Sequence, residues 1–241
     1  LRIIRCKDYA GLSKTAACHI AAQIIIKPDC VLGLATGTTP IGTYQNLIAM
    51  HREKELSFAN VKTINLDEYV GLNADHVQSY NYFMRTQLFN YLDIDLTHTH
   101  LPNGCAKDLN AEGERYDALI QSYGGVDLHL LGLGHNGHIG FNEPDDCFST
   151  GTHEVELTAS TVEANSRLFD DINLVPRRAV TMGIGSIFAA KRILMTVSGI
   201  DKAEILRAAL YGPITPQVPA SILQLHPDVT IVADAEAATL I

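Results

Sequence analysis

Apolar residues follow two rhythms along this chain. Short segments rich in apolar residues at 2–6, 31–35, 61–66, 126–131, 155–158, 179–182, 193–197 and 229–233 read as strands. Between them, apolar residues recur three or four apart, the spacing of a helix with one buried face. Leu12, Ala16, Ile20 and Ile24 follow Asp8 in this way, and Ile41, Tyr44, Leu47 and Ile48 follow Thr39-Pro40. Asp8, Thr39, Ser79 and Asp108 suit N-caps, and Pro40 suits a first helical position. The Ser79 helix is expected to reach about residue 91, with Tyr80, Tyr82, Phe83 and Leu88 in the core. A helix is expected at 160–169, and another behind Asp201-Lys202-Ala203-Glu204, which resembles a capping box. Strands alternating with helices predict an α/β fold: a single-domain, Rossmann-like, doubly wound and mostly parallel sheet with helices on both faces.

Composition narrows the classes. A 241-residue chain that is 46% hydrophobic has enough apolar surface for a core without staples. Its formal charge of −9 disfavours a nucleic-acid or anionic-membrane surface. The five cysteines are odd in number and form no C-x-x-C pair, as expected of reduced thiols. No apolar run approaches the length of a membrane span and no signal peptide is recognised, so a cytoplasmic protein is expected.

The polar residues that break these rhythms carry the candidate chemistry. The run at 126–131 opens into Gly132-Leu133-Gly134-His135-Asn136-Gly137-His138-Ile139-Gly140-Phe141-Asn142-Glu143-Pro144. Glycines there allow tight turns and close approach to a ligand, and parallel sheets bind ligands beyond the carboxyl ends of their strands. Within this loop a carboxylate, Glu143, can fix the tautomer of an imidazole, His138, and make it a better base. A second strand leads into Thr36-Gly37-Thr38-Thr39-Pro40, a small-residue turn that opens a helix and suits phosphate. It fits neither the Walker nor the dinucleotide pattern, so a nucleotide is not indicated. A third strand ends in Asp67-Glu68, whose side chains alternate, so at most one of them faces a given crevice. Lys202, in a helix's first turn, is placed against the dipole, as a lysine that meets an anion would be. The His98/His100 and His135/His138 pairs are too sparse to indicate a metal. An anion anchor, a carbon-acid base and an activated histidine together suit ring opening and enolisation of a sugar phosphate.

The chain resembles the glucosamine-6-phosphate deaminase family, also called glucosamine-6-phosphate isomerase. The matching segments are 33–40, 65–72, 132–144, Ala164-Asn165-Ser166-Arg167 and Ser221-Ile222-Leu223-Gln224-Leu225-His226-Pro227, in family order through nearly the whole chain. The resemblance implies conversion of glucosamine 6-phosphate and water to fructose 6-phosphate and ammonia in N-acetylglucosamine breakdown, without a redox cofactor. It implies His138 as ring-opening base supported by Glu143, and Asp67 as the base at C2. Thr36, Gly37, Thr38 and Thr39 would hold the phosphate, with Arg167 and Lys202 supplying positive charge. Many members, notably the hexameric regulated ones, carry Asp where this chain has Asn136, while a shorter branch carries Asn. Regulated members also have basic residues where His153, Glu154 and Val155 stand, and a longer C-terminal tail. The expectation is therefore a monomer or small homo-oligomer without activation by N-acetylglucosamine 6-phosphate, and a mobile lid at about 152–182 carrying Arg167.

Two other readings compete. A 6-phosphogluconolactonase would share the fold, but its loop usually continues with Ser-Leu-Phe-Pro, where Phe141-Asn142-Glu143-Pro144 stands here. A non-catalytic sugar-phosphate sensor would have no need of Asp67, His138 and Glu143 together.

Overall fold

The computed structural model describes residues 1–167, 169 and 171–241. Leu168 and Asp170, which fall in the expected 160–169 helix and the expected lid, lie outside the described residues. Ten strands and seven α-helices follow one another among the described residues. The strands are β1 (Arg2–Arg5), β2 (Val31–Leu34), β3 (Lys62–Asn65), β4 (Asp67–Tyr69), β5 (Thr99–His100), β6 (Leu128–Leu131), β7 (His153–Glu156), β8 (Arg178–Thr181), β9 (Ile193–Val197) and β10 (Val229–Ala233). The helices are α1 (Tyr9–Ile26), α2 (Ile41–Arg52), α3 (Tyr80–Gln87), α4 (Leu109–Ser122), α5 (Ala159–Ser166), α6 (Ile184–Phe188) and α7 (Ala203–Tyr211).

Seven strands form a parallel sheet in the order β1-β10-β9-β6-β2-β3-β5. From β2 the chain moves through α2 to β3 on one side, whereas from β6 it proceeds to β9 and β10 on the other. With right-handed crossovers, this reversal puts α1 and α2 on one face and α4 and α7 on the opposite face. A crevice opens where the order reverses, beyond the ends of β2 and β6. Asp127 pins these two strands at their start, accepting from the Val31 N–H at 2.8 Å and from the ammonium groups of Lys27 and Lys191, each at 2.7 Å.

The local chemistry explains most element ends. Asp8 caps α1 by accepting from the Gly11 N–H, and Leu12, Ala16, Ile20 and Ile24 are buried along it. Ser79 and Asp108 cap α3 and α4 in the same way. Two expected caps are absent. Pro40, not Thr39, is the residue before α2, and its turn makes no side-chain cap. Asp201 does not cap α7, which follows a short 3-10 turn at Ile200–Lys202.

The third expected strand is present as β3, and the acids behind it begin another strand. β3 ends at Asn65, and after Leu66 the chain joins a separate three-stranded antiparallel sheet in the order β4-β8-β7. The run at 179–182 therefore builds this second sheet. Tyr69, Phe141, Leu157, Val162, Val175 and Ala179 form a small core of their own beneath it.

One close approach lies inside the main sheet. Gly33 of β2 is paired with His129 of β6, and a Cβ at Gly33 would lie 2.1 Å from the imidazole. His129 is wholly buried, with neither ring nitrogen hydrogen-bonded among the described residues, and burial pushes its pKa down to about 3. Gly33→Ala should destabilise the fold by on the order of 3 kcal/mol through overpacking, read as a lowered urea midpoint; an unchanged midpoint would show that the ring has room to move.

Candidate functional site

The loops after β2, β6 and β9 meet β4 and α5 around a cavity of about 480 Å³. Thr36, Gly37, Thr38, Thr39, Asp67, Asn136, His138, Arg167 and Lys202 all line it. Nine of the ten residues singled out from sequence thus share one cavity. Glu143 stands behind it, largely buried and touching His138.

The glycines of the 132–144 loop shape its chemistry. The His138 ring lies against Gly134, where an added Cβ would come within 2.3 Å of it. Gly137 (φ 87°) and Gly140 (φ 57°) occupy the left-handed region. Ala220 donates its N–H to the Gly137 carbonyl at 2.9 Å, so the Ser221-Ile222-Leu223 segment buttresses this loop from behind. His138 Nδ1 lies 3.2 Å from Glu143 Oε2, and Asn136 donates its amide to the same oxygen at 2.6 Å. A carboxylate only accepts, so Nδ1 is the donor to Glu143 and Nε2 is the ring nitrogen left for a substrate. Burial alone would raise the Glu143 pKa, but the hydrogen bond and charge of His138, with bonds from Thr161 and Asn136, hold it down at about 2. Glu143 is thus an anion, and Asn136 supplies the neutral member of the group.

Asp67 is placed by the second sheet. It pairs with Thr181 across β4 and β8, and the Thr181 hydroxyl accepts the Phe141 N–H at 3.0 Å. Asn142 donates to the carbonyls of Ile139 and Met182 at 2.9 and 2.7 Å. The same strand therefore holds both Asp67 and the histidine loop. Asp67 is 6% exposed, and among the described residues no side chain or backbone group hydrogen-bonds its carboxylate. Burial, with the neighbouring Glu68 charge, pushes its pKa up to about 8. Such a carboxylate is a stronger base than an exposed aspartate. Glu68 points away from the cavity, as strand alternation expects, and its carboxylate accepts three backbone N–H bonds.

The opposite end of the cavity suits an anion. Gly37, at φ 94°, turns the chain between Thr36 and Thr38 and into the N-terminus of α2. Tyr9 braces this turn, donating to the Thr38 and Thr39 carbonyls and accepting the Gly42 N–H at 2.8 Å. Arg167 reaches from the end of α5 to the Thr38 hydroxyl at 3.4 Å. Burial pushes the Lys202 pKa down to about 8, assisted by Arg167 and opposed by Asp201.

Sequence reading missed several cavity residues. Tyr80, expected in the core, packs against Tyr69 and Phe141 and also lines the cavity. His135 pairs with Asp201 at 2.6 Å on the rim; no local pattern marks a contact between residues 66 positions apart. His100 is bonded to the Tyr123 hydroxyl. Among the described residues, no group of three or more His, Cys, Asp or Glu side chains is arranged to hold a metal. No helix is long and apolar enough to cross a membrane among the described residues.

A family model described as glucosamine-6-phosphate isomerases/6-phosphogluconolactonase matches residues 9–232. A glucosamine-6-phosphate deaminase of Lachnoclostridium phytofermentans is 55% identical over 232 residues, covering 96% of this chain and 98% of its own. Another, of Clostridium perfringens, is 53% identical over the full length of both. A solved structure of a monomeric glucosamine-6-phosphate deaminase superposes with a TM-score of 0.98 at 48% identity, covering all of both chains. A 6-phosphogluconolactonase from Thermotoga maritima, 18% identical with a TM-score of 0.75 over 97% of this chain and 99% of its own, shares the fold.

Lys202 should be cationic below pH of about 8 and lose its charge above it. Inorganic phosphate should therefore bind progressively more weakly as pH rises through that value, and Lys202→Arg, whose guanidinium stays charged, should flatten the decline. Calorimetric titration between pH 7 and 9 checks this; the same decline in both proteins would remove Lys202 from the anion site.

Proposed function

This chain belongs to the glucosamine-6-phosphate isomerase and 6-phosphogluconolactonase family, and we infer that it is a glucosamine-6-phosphate deaminase, an enzyme of amino-sugar metabolism. The observation that carries the mechanism is the meeting, in one cavity, of a buried and unbonded Asp67, a His138 backed by Glu143 and an anion cradle.

In the proposed reaction, the substrate phosphate sits at the turn of Thr36, Gly37, Thr38 and Thr39, with Arg167 and Lys202 in reach. His138 Nε2 takes the proton of the C1 hydroxyl and passes it to the ring oxygen as the C1–O5 bond breaks, leaving a C1 aldehyde and a C5 hydroxyl. Glu143 stabilises the imidazolium formed, and Asn136 keeps Glu143 and His138 in register without adding charge. Asp67 removes the proton from C2 while the substrate's own C2 ammonium gives a proton to O1, which yields an enolamine; Asp67 then returns its proton to C1. The resulting C2 imine of fructose 6-phosphate is hydrolysed by water, releasing ammonia. Each step conserves protons and none requires an outside oxidant.

Lactone hydrolysis needs no carbon base, so it leaves Asp67 without a task. Within the expected lid segment 152–182, Arg167 bonded to Thr38 and Asn165 bonded to the Tyr69 hydroxyl support closure of the α5 end over the phosphate, with β7 and β8 held in the second sheet. We read the protein as a cytoplasmic monomer without activation by N-acetylglucosamine 6-phosphate. The monomeric relative supports that reading, as does Glu154, which is paired with Arg178 where regulated members carry basic residues.

The first test is release of ammonia and fructose 6-phosphate from glucosamine 6-phosphate in chelator-treated buffer, where equal yields are expected. Hydrolysis of 6-phosphogluconolactone instead would favour the other branch of the family, and binding without turnover would favour a sensor. Asp67→Asn should lower kcat by roughly 10³-fold with binding retained, and Glu143→Gln by roughly 10²-fold. Near-normal turnover in either variant would remove that residue from its assigned role.

A further inference from the structure

Glu68 is an acid with no catalytic task in the scheme above, yet it is among the most completely held side chains near the cavity. It is 3% exposed. One carboxylate oxygen accepts the N–H groups of Tyr69 and Tyr80, and the other accepts that of Asn81, all at 2.9 Å. Tyr80 and Asn81 open α3, so the carboxylate occupies the positive end of that helix. No cation pairs with Glu68 among the described residues. A buried carboxylate anchored by three amides stays an anion near neutrality, and its charge is not cancelled locally. It is adjacent in sequence to Asp67, the unbonded acid of the cavity.

We propose that Glu68 is a positioning residue for Asp67: its carboxylate ties β4 to the start of α3 and sets a fixed negative charge beside the carbon base. The first effect is geometric. Glu68 joins the strand that carries Asp67 to the helix that carries Tyr80, so two walls of the cavity are fastened through one side chain. The second is electrostatic. An anion beside Asp67 disfavours its ionised form, which strengthens it as a base.

The groups around Asp67 leave Glu68 as its principal charged neighbour. Its own strand adds Tyr69, α3 adds Tyr80, α4 adds Tyr116 and β8 adds Thr181, all neutral at working pH. The loop after β6 adds Gly140 near Asp67, while His138, Arg167 and Lys202 line the same cavity. Burial pushes Glu68 up to about 6 against the pull of the three amides, so it is ionised where Asp67, at about 8, is titrating.

The inference rests on Asp67 being the carbon base, and Glu68→Gln tests it. A glutamine can keep its carbonyl oxygen on Tyr69 and Tyr80 and lose only the Asn81 bond, so the fold should persist. Carboxyl-13C NMR of the protein, with Asp67→Asn for assignment, should show Asp67 titrating about one pH unit lower in Glu68→Gln. With C2-deuterated glucosamine 6-phosphate isolating the proton-transfer step, the acid limb of kcat/KM should move down by the same amount, and the plateau should fall because the base is weaker. A fall in rate with no movement of the limb, or an unmoved Asp67 titration, overturns the electrostatic role and leaves Glu68 a structural cap. A moved Asp67 titration in a protein without deaminase turnover upholds the coupling and sinks the assigned reaction. Glu68→Ala, which strands all three amides, serves as the structural control: it should lower Tm, and an unchanged Tm would refute the anchoring of α3.

Discussion

The antiparallel pairing of β4 with β8 is the constraint on which the site depends. A parallel sheet alone delivers loops to one edge, as β2 and β6 do here. It does not set two acid–base groups from different loops in register. That register comes from Thr181, which stands opposite Asp67 and accepts the Phe141 N–H from the histidine loop. Asn142 bonded to the Met182 carbonyl, and the Met182 N–H bonded to the Leu66 carbonyl at 2.7 Å, extend the same seam. A displaced β8 would shift Asp67 and His138 together.

The cavity divides into a polar end and a dry end, and each takes its character from the backbone around it. At the phosphate end the turn after β2 offers amides, hydroxyls and a helix N-terminus, with Tyr9 bracing it from outside. At the Asp67 end, Tyr69, Tyr80 and Phe141 pack against one another, and the acid is buried without a donor among the described residues. Two acids of one loop-and-strand system are thus driven in opposite directions. Glu143 gains a histidine and an amide and remains an anion. Asp67 gains neither and can carry a proton near neutrality.

Local pattern made the strands and helix faces legible, because burial imposes its period on each segment separately. It also marked His138, Glu143, Asp67 and the 36–39 turn, since polar groups at the ends of buried strands are costly unless used. Other features depend on distance relations that no segment records. Nothing between Asn65 and Asp67 shows the chain leaving one sheet for another, because Asp67-Glu68 reads only as the end of the strand before it. Thr39 has the chemistry of a cap but yields that place to Pro40, in a turn whose carbonyls meet Tyr9. Asp201 has the chemistry of a cap as well, yet His135 recruits it. Glu68 was legible as an acid pointing away from Asp67, but not as the anchor of α3, because its partners lie twelve and thirteen positions away.

The isolation of the Asp67 carboxyl has a stereochemical consequence. With no side chain or backbone group bonded to it among the described residues, no relay leads a proton onward from it through the protein. While a sugar fills the cavity, the neighbouring carbon is the destination within reach. A single carboxyl swinging between adjacent carbons works from one face of the enol. The hydrogen lifted from C2 then returns to C1 on the same side, so it enters one of the two prochiral positions of the new methylene, chosen by a side chain that has no neighbour to share its proton.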